Sequence, residues 1–372
     1  MGDAATKPVG ITVGQPARTG LAVPAAAPRL AALTRLRLLL IGWVVLYHLD
    51  LTLGAVRDVP VLGPAIGRGY LGVDGFFLLS GFALWLGYHR RPPMGRAGWL
   101  GFLVRRLAKI WPLHALALLL LAALVGLAVA AGATVHDPGR FDARDLVLQM
   151  LLVNAWETTA RHAWNYPSWA LSAEFAGYLV FPLLLRGVAR LPAAAAAALP
   201  ALLLAALLGI EAVQLPGVGL NLTFHLALLR FFPEFLAGLA LGRLATEGRL
   251  PRALPWLLLL ALPAGLAFGL DGVAVAGLAG GLLLAWQAGA GAPAAAAPRD
   301  LAWRLGEASF GVYLCWVFVE AAVVALQRAT PLGAEARLAL MPLGLAANLA
   351  LGWLAWRWVE VPAQRWLLAR RG

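Results

Sequence analysis

Residues 36–55 read LRLLLIGWVVLYHLDLTLGA. About 20 predominantly apolar residues suffice for an α-helix to cross the hydrocarbon core of a bilayer, so the stretch reads as a transmembrane helix. Two of its side chains do not suit a plain anchor. Arg37 and His48 are eleven residues apart, about 16 Å along the axis at 1.5 Å per residue. That spacing sets a cation at one membrane face and an imidazole near mid-bilayer, where polar groups are costly and mark function. The structural role open to His48 is a hydrogen bond across helices; the chemical one is a general base near neutral pH. Arg37 alone would be an interface anchor, and its pairing with His48 on one helix favours chemistry.

The rest of the chain supports a membrane setting. It is 61% hydrophobic and 13% charged, with a mean hydropathy of +0.79, whereas soluble proteins carry about 25% charged residues. The net charge of +12 does not point to nucleic acid, because the basic residues cluster at the ends of apolar runs, where they set topology and meet anionic headgroups. The single cysteine, Cys315, excludes a disulfide framework and reads as a small core residue. No HExxH-type spacing suggests a metal. Residues 1–29, rich in Ala, Pro, Gly and Thr, read as a disordered cytoplasmic tail, with residues 30–372 forming one membrane domain.

Spanning-length apolar stretches recur about ten times, near 36–55, 70–88, 111–132, 167–185, 192–210, 223–242, 253–269, 272–290, 305–327 and 338–358. Pro263 and Asp271 interrupt the seventh and eighth. With the N-terminus in the cytoplasm, 22 of the 30 Lys and Arg residues fall on the cytoplasmic side, 7 on the other and Arg230 within a helix. This bias follows the positive-inside rule and predicts an all-α bundle of about ten transmembrane helices with both termini cytoplasmic. The longest external connection, 132–166, carries an amphipathic piece at 146–156 that predicts a lid or an interfacial helix.

Further polar groups interrupt the apolar runs. Residues 70–82, YLGVDGFFLLSGF, hold Asp74 toward the outer end of the second span and Ser80 deeper; the flanking glycines allow close helix approach. Arg105, Arg106 and Lys109 precede Pro112 in RRLAKIWP. They read either as a positive-inside cluster or as a clamp for a polyanion. Residues 169–174, WALSAE, bring Trp169, Ser172 and Glu174 to the outer end of the fourth span. Arg230 and Glu234, four apart on one helix, are placed to pair with each other, and Glu320 has no evident partner.

Taken in order, these motifs resemble acyltransferase family 3, a family of integral-membrane acyltransferases. The first helix is similar to that family's opening motif, with Arg37 and His48 at its arginine and histidine positions. GVDGFFLLSGF, RRLAKIWP and WALSAE resemble its next three motifs, with Lys109 at a usual arginine and Ala170 at a usual serine. SFGVYL at 309–314 and the closing Glu360 and Pro362 complete the series. The family's histidine two residues after Tyr-Leu is Trp316 here, which bears on the acceptor class or on activity itself.

The resemblance implies a membrane O-acyltransferase with no permanently bound cofactor. The donor would be acyl-CoA, acetyl-CoA foremost, and the acceptor a hydroxyl on a sugar, a lipid-linked glycan or a secondary metabolite. His48 would be the general base, with Glu174 or Asp74 orienting it or the acceptor. Arg37, Arg105, Arg106 and Lys109 would hold the CoA phosphates. Ser80, Trp169 and Ser172 would contact substrate, and a covalent acyl intermediate on His48 or Ser80 stays open. The partners implied are the lipid bilayer, acyl-CoA and the acceptor. The Ala-, Gly- and Arg-rich composition points to a bacterial plasma membrane. A transporter or flippase for a glycan or lipid is the alternative from another class, and an inactive scaffold is a third reading, resting on Trp316.

Overall fold

The computed structural model describes residues 27–132, 134, 137–214, 219–289 and 300–370. The tail expected over 1–29 therefore lies outside the described residues, apart from the first turn of α1 (Ala27–Leu53). There follow α2 (Leu62–Gly67), α3 (Gly72–Tyr88), α4 (Gly95–Ala130), α5 (Ala143–Met150), α6 (Ser168–Arg190), α7 (Ala193–Gln214) and α8 (Ala227–Thr246). The C-terminal half adds α9 (Leu254–Leu259), α10 (Ala261–Phe268), α11 (Asp271–Ala288), α12 (Leu301–Glu307), α13 (Ser309–Ala329), α14 (Ala334–Ala355) and α15 (Val361–Ala369). A π-helical turn, Trp356–Glu360, joins the last two. No strand occurs among the described residues.

Eight of these segments are long and apolar enough to cross a membrane. The two expected spans that fall short do so for separate reasons. Residues 254–268 are too short, being broken into α9 and α10. They pack against α11 through glycines: a Cβ on Gly265, Gly277 or Gly280 would collide with backbone of the facing helix. α8 has the length, but it carries Arg230, Glu234 and Arg243, all buried. It is an interior helix, apolar nearly all round, packed against α3, α6 and α7. The close crossing of α3 on α8 requires Gly81 and Gly238, where a side chain would strike the carbonyls of Phe235 and Leu78 respectively.

Helix α4 begins well before residue 111, where the third apolar stretch is expected to start. It is one continuous helix of 36 residues, about 54 Å long, that runs through the basic cluster and past Pro112. The connection between α4 and α6 then folds back against α4. Trp111 Nε1 donates to Met150 O at 3.1 Å, and Gln149 O is 2.8 Å from His114 Nε2. Leu118 of α4 packs with Ala163 and Trp164 of the connection. The expected amphipathic piece is in part α5, capped by Asp142, whose carboxylate accepts from Arg144 N at 2.7 Å.

Candidate active site

A cavity of about 180 Å³ opens between α1, α3, α4, α6, α12 and α13. Arg37, Arg106 and Lys109 line it together with Ser80 and Glu174, so five residues singled out from sequence meet in one space. Four helices supply them. α1 brings Arg37, α3 brings Ser80, α4 brings both Arg106 and Lys109, and α6 brings Glu174. The cations are not alone. Glu307 of α12 lies 4.0 Å from Arg37 and accepts a hydrogen bond from Thr34 at 3.2 Å. Glu174 accepts from the Tyr178 hydroxyl at 2.8 Å. Arg106 lies over the rings of Tyr88 and Phe102, each 5.6 Å away. Between the charged groups the wall is apolar, formed by Val73, Phe77, Leu84 and Ile110 among others. Three cations and an apolar wall in one space suit a ligand with an anionic head and an extended, mostly apolar arm.

His48 does not line this cavity. It lies about 16 Å further along α1 from Arg37, in a cage of aromatic rings. Trp316 of α13 stacks on the imidazole, with centroids 4.0 Å apart and planes 15° apart. Tyr47 and Tyr166 meet it edge-on. The Tyr166 hydroxyl is 3.0 Å from His48 Nδ1. Tyr313, one turn before Trp316 on α13, lines the cavity, so α13 connects the two places as α1 does. Outside the spans, burial first and Glu320 second hold the Tyr166 hydroxyl well above its ordinary range. Burial and then Arg140 push His162, beside Tyr166, below the ordinary imidazole value.

The remaining predicted residues are held elsewhere. Asp74 is fully buried and ion-paired with Arg230, Nε donating to Oδ1 at 2.9 Å and Nη2 donating to Oδ2. Arg230 thus pairs across 156 positions, and Glu234, one turn further on α8, is buried within hydrogen-bond reach of the same Asp74 carboxylate. Trp169 is buried between Arg230, 5.2 Å from its ring, and Phe77. Ser172 is buried and accepts from Ala155 N at 3.0 Å, which pins the outer connection to α6. Arg105 is exposed and does not line the cavity. Glu320 has a partner after all, Thr52, whose hydroxyl donates to it at 3.3 Å.

Sequence reasoning assigned no role to Glu307, Tyr178 or Tyr313 at the cavity, nor to Tyr166 at His48. Two signals were present: Tyr178 follows Glu174 by four residues, one helical turn, and Tyr313 lies inside SFGVYL. Nothing local marks Tyr166. Glu360 is also buried; the π-turn that carries it packs against α4.

Comparison with known proteins agrees with this architecture. A family model described as an acyltransferase domain (acyltransferase family 3) matches residues 30–357. The acyltransferase MdmB of Streptomyces mycarofaciens is 39% identical over 126 residues, which are 33% of this chain and 30% of that protein. The chain thus aligns with less than a third of the curated relative's length. No solved structure matches the chain.

Proposed function

This chain belongs to acyltransferase family 3, and we propose that it is a multi-pass membrane O-acyltransferase. It moves an acyl group, acetyl foremost, from acyl-CoA to a hydroxyl of a sugar, a lipid-linked glycan or a secondary metabolite, in a bacterial plasma membrane. The observation that carries the reading is the convergence of Arg37, Arg106 and Lys109 on one cavity, with Arg37 on the helix that also bears His48. Ten spans with both termini cytoplasmic, counting α8 as an interior span and α9 with α10 as a broken one, fit the basic-residue bias, and would set the cations on the cytoplasmic side, where CoA is found.

In this reading the three cations bind the CoA phosphates by charge-assisted hydrogen bonds. Val73, Phe77, Leu84 and Ile110 enclose the arm, and Ser80 and Glu174 fix its polar atoms. Arg105 stands at the approach to the clamp. His48 takes the proton of the acceptor hydroxyl as the oxygen attacks the thioester carbon. The C–S bond breaks, and the proton passes to the leaving thiolate. The acceptor enters from the outer face beneath the 132–166 connection, which Ser172 holds in place. Asp74 and Trp169 contribute through Arg230, by fixing α3 against α8 and α6.

Incubating the purified protein with acetyl-CoA and an alkyl glucoside, and measuring both CoA thiol and glucoside ester, tests the proposal. Ester formation matched by thiol release is expected. Movement of glucoside across a vesicle membrane without ester would identify a transporter instead.

A further inference from the structure

We propose that Tyr166, supplied by the outer connection, is the positioning residue that fixes the tautomer and orientation of His48. This inference rests on the reading of His48 as the base. The imidazole plane is set by Trp316, stacked at 4.0 Å and 15°. Rotation of the ring within that plane is set by one polar contact, the Tyr166 hydroxyl 3.0 Å from Nδ1.

Tyr166 is itself held on several sides. Trp316 meets it edge-on at 5.1 Å, His162 does so at 5.1 Å, and the Arg140 guanidinium lies 5.6 Å from its ring. Its neighbour Asn165 donates to Leu314 O of α13 at 3.2 Å. The segment that delivers Tyr166 is therefore tied to the helix that delivers Trp316. α6 begins two residues later, at Ser168, so the backbone here has little freedom.

The contact has two possible senses. If the phenol donated to Nδ1, neutral His48 would carry its proton on Nε2 and could not accept one there. If Nδ1–H donates to the phenol oxygen, Nε2 presents a free lone pair. The second sense is the one a general base requires, with a neutral phenol in the place a carboxylate takes in other His-based sites. Burial keeps Tyr166 protonated throughout the working pH range.

The chemical step then balances. The acceptor O–H proton moves to Nε2 while the oxygen bonds to the acyl carbon. The C–S bond breaks with its electron pair on sulfur. Nε2–H then protonates that thiolate, giving ester and CoA thiol and restoring neutral His48. Nδ1–H stays on the Tyr166 oxygen throughout. The charged and titratable groups facing this pair are Tyr47 from α1, Arg140 and His162 from the connection before α6, and Tyr313 and Glu320 from α13.

The test is Tyr166→Phe in the full-length protein, which keeps the ring packing and removes one oxygen. Two readouts are taken. The first is the 15N spectrum of histidine-labelled protein in detergent, with His48 assigned by the resonance missing in His48→Ala. Wild type should show Nδ1 protonated and Nε2 unprotonated, and Tyr166→Phe should show a mixture of tautomers. The second is thiol release from acetyl-CoA, with water or an alkyl glucoside as acceptor. Tyr166→Phe should lower kcat by about 10-fold or more with the acetyl-CoA KM unchanged. A wild-type spectrum with the proton on Nε2, or an unchanged spectrum in Tyr166→Phe, overturns the inference; neither needs turnover. If His48→Ala is inactive and Tyr166→Phe turns over normally, the inference fails alone. If His48→Ala turns over normally, the underlying reading of His48 fails with it.

Discussion

Trp316 lies face-on against His48, with ring centroids 4.0 Å apart. By sequence resemblance the family has a histidine at this position, so the departure falls on the imidazole itself and not at a remote site. Trp316 is 2% exposed, and its indole N–H is buried without a partner. Its contribution here is therefore its flat face. Trp316→Phe keeps a smaller aromatic face and removes an unpaired donor, so turnover should stay within a few-fold of wild type. Trp316→Ala leaves the imidazole unsupported and should lose about 10²-fold in kcat, the scale of a small misplacement of a reacting group. Equal turnover in the two variants would remove the stacking from the mechanism.

The cation clamp predicts a binding defect. Arg37→Ala and Arg106→Ala should each weaken acyl-CoA binding by about 10-fold or more, the scale of one lost hydrogen bond to a charged group. Acceptor KM should change little. Arg96, exposed near the start of α4, is the matched control and should have no effect. Calorimetry with a non-hydrolysable acyl-CoA thioether reads all three. Unchanged affinity in both cavity variants would refute the clamp.

The Arg230–Asp74 pair predicts a stability defect. Both side chains are fully buried. Arg230→Ala strands a carboxylate in the core and should cost about 3–5 kcal/mol, seen as a lower unfolding midpoint in detergent. Pairing it with Asp74→Asn should recover part of the loss, because the stranded charge is gone. A midpoint unchanged in Arg230→Ala would show that the pair does not hold α3 to α8.

Glu157 ties the outer connection to the segment before α8. Its carboxylate accepts from Leu226 N at 2.5 Å and lies 2.6 Å from His225 Nδ1. Slight burial opposes ionisation, but the Leu226 N–H and His225 outweigh it and hold the group below its ordinary range. A depressed carboxylate contributes stability above its unfolded pKa and loses it as pH falls through the folded one. Below about pH 5, where the carboxylate takes up its proton, the midpoint difference between wild type and Glu157→Gln should thus close as pH falls. A difference that grows as pH falls below that point would contradict the sign of this contact.

Much of the helical framework was legible because length and apolarity survive without tertiary knowledge. α1, α3, α6 and α13 lie close to where their apolar runs predict them. The convergence of Arg37, Arg106 and Lys109 on one cavity was legible in part because cations cost too much in an apolar run to be incidental. What was hidden depended on partners remote in sequence. Arg230 and Glu234 are one turn apart and read as a pair, yet Arg230 reaches Asp74, because α8 is enclosed by other helices and its charges must be met from α3. The start of the helix that carries the third span was hidden for a similar reason. Arg106 and Lys109 resemble a headgroup cluster, but they line an internal cavity, so α4 need not end at them. Tyr166 carries no local signal, since only the fold-back of the outer connection brings it to His48.

The most direct measurement is single-turnover transfer from acetyl-CoA by purified wild type and His48→Ala, with donor affinity measured in parallel. His48→Ala should bind acetyl-CoA as wild type does and lose transfer by about 10²–10⁴-fold, the scale of a missing general base. Transfer at the wild-type rate in His48→Ala, with the donor bound equally well, would contradict the assignment of His48 as the base.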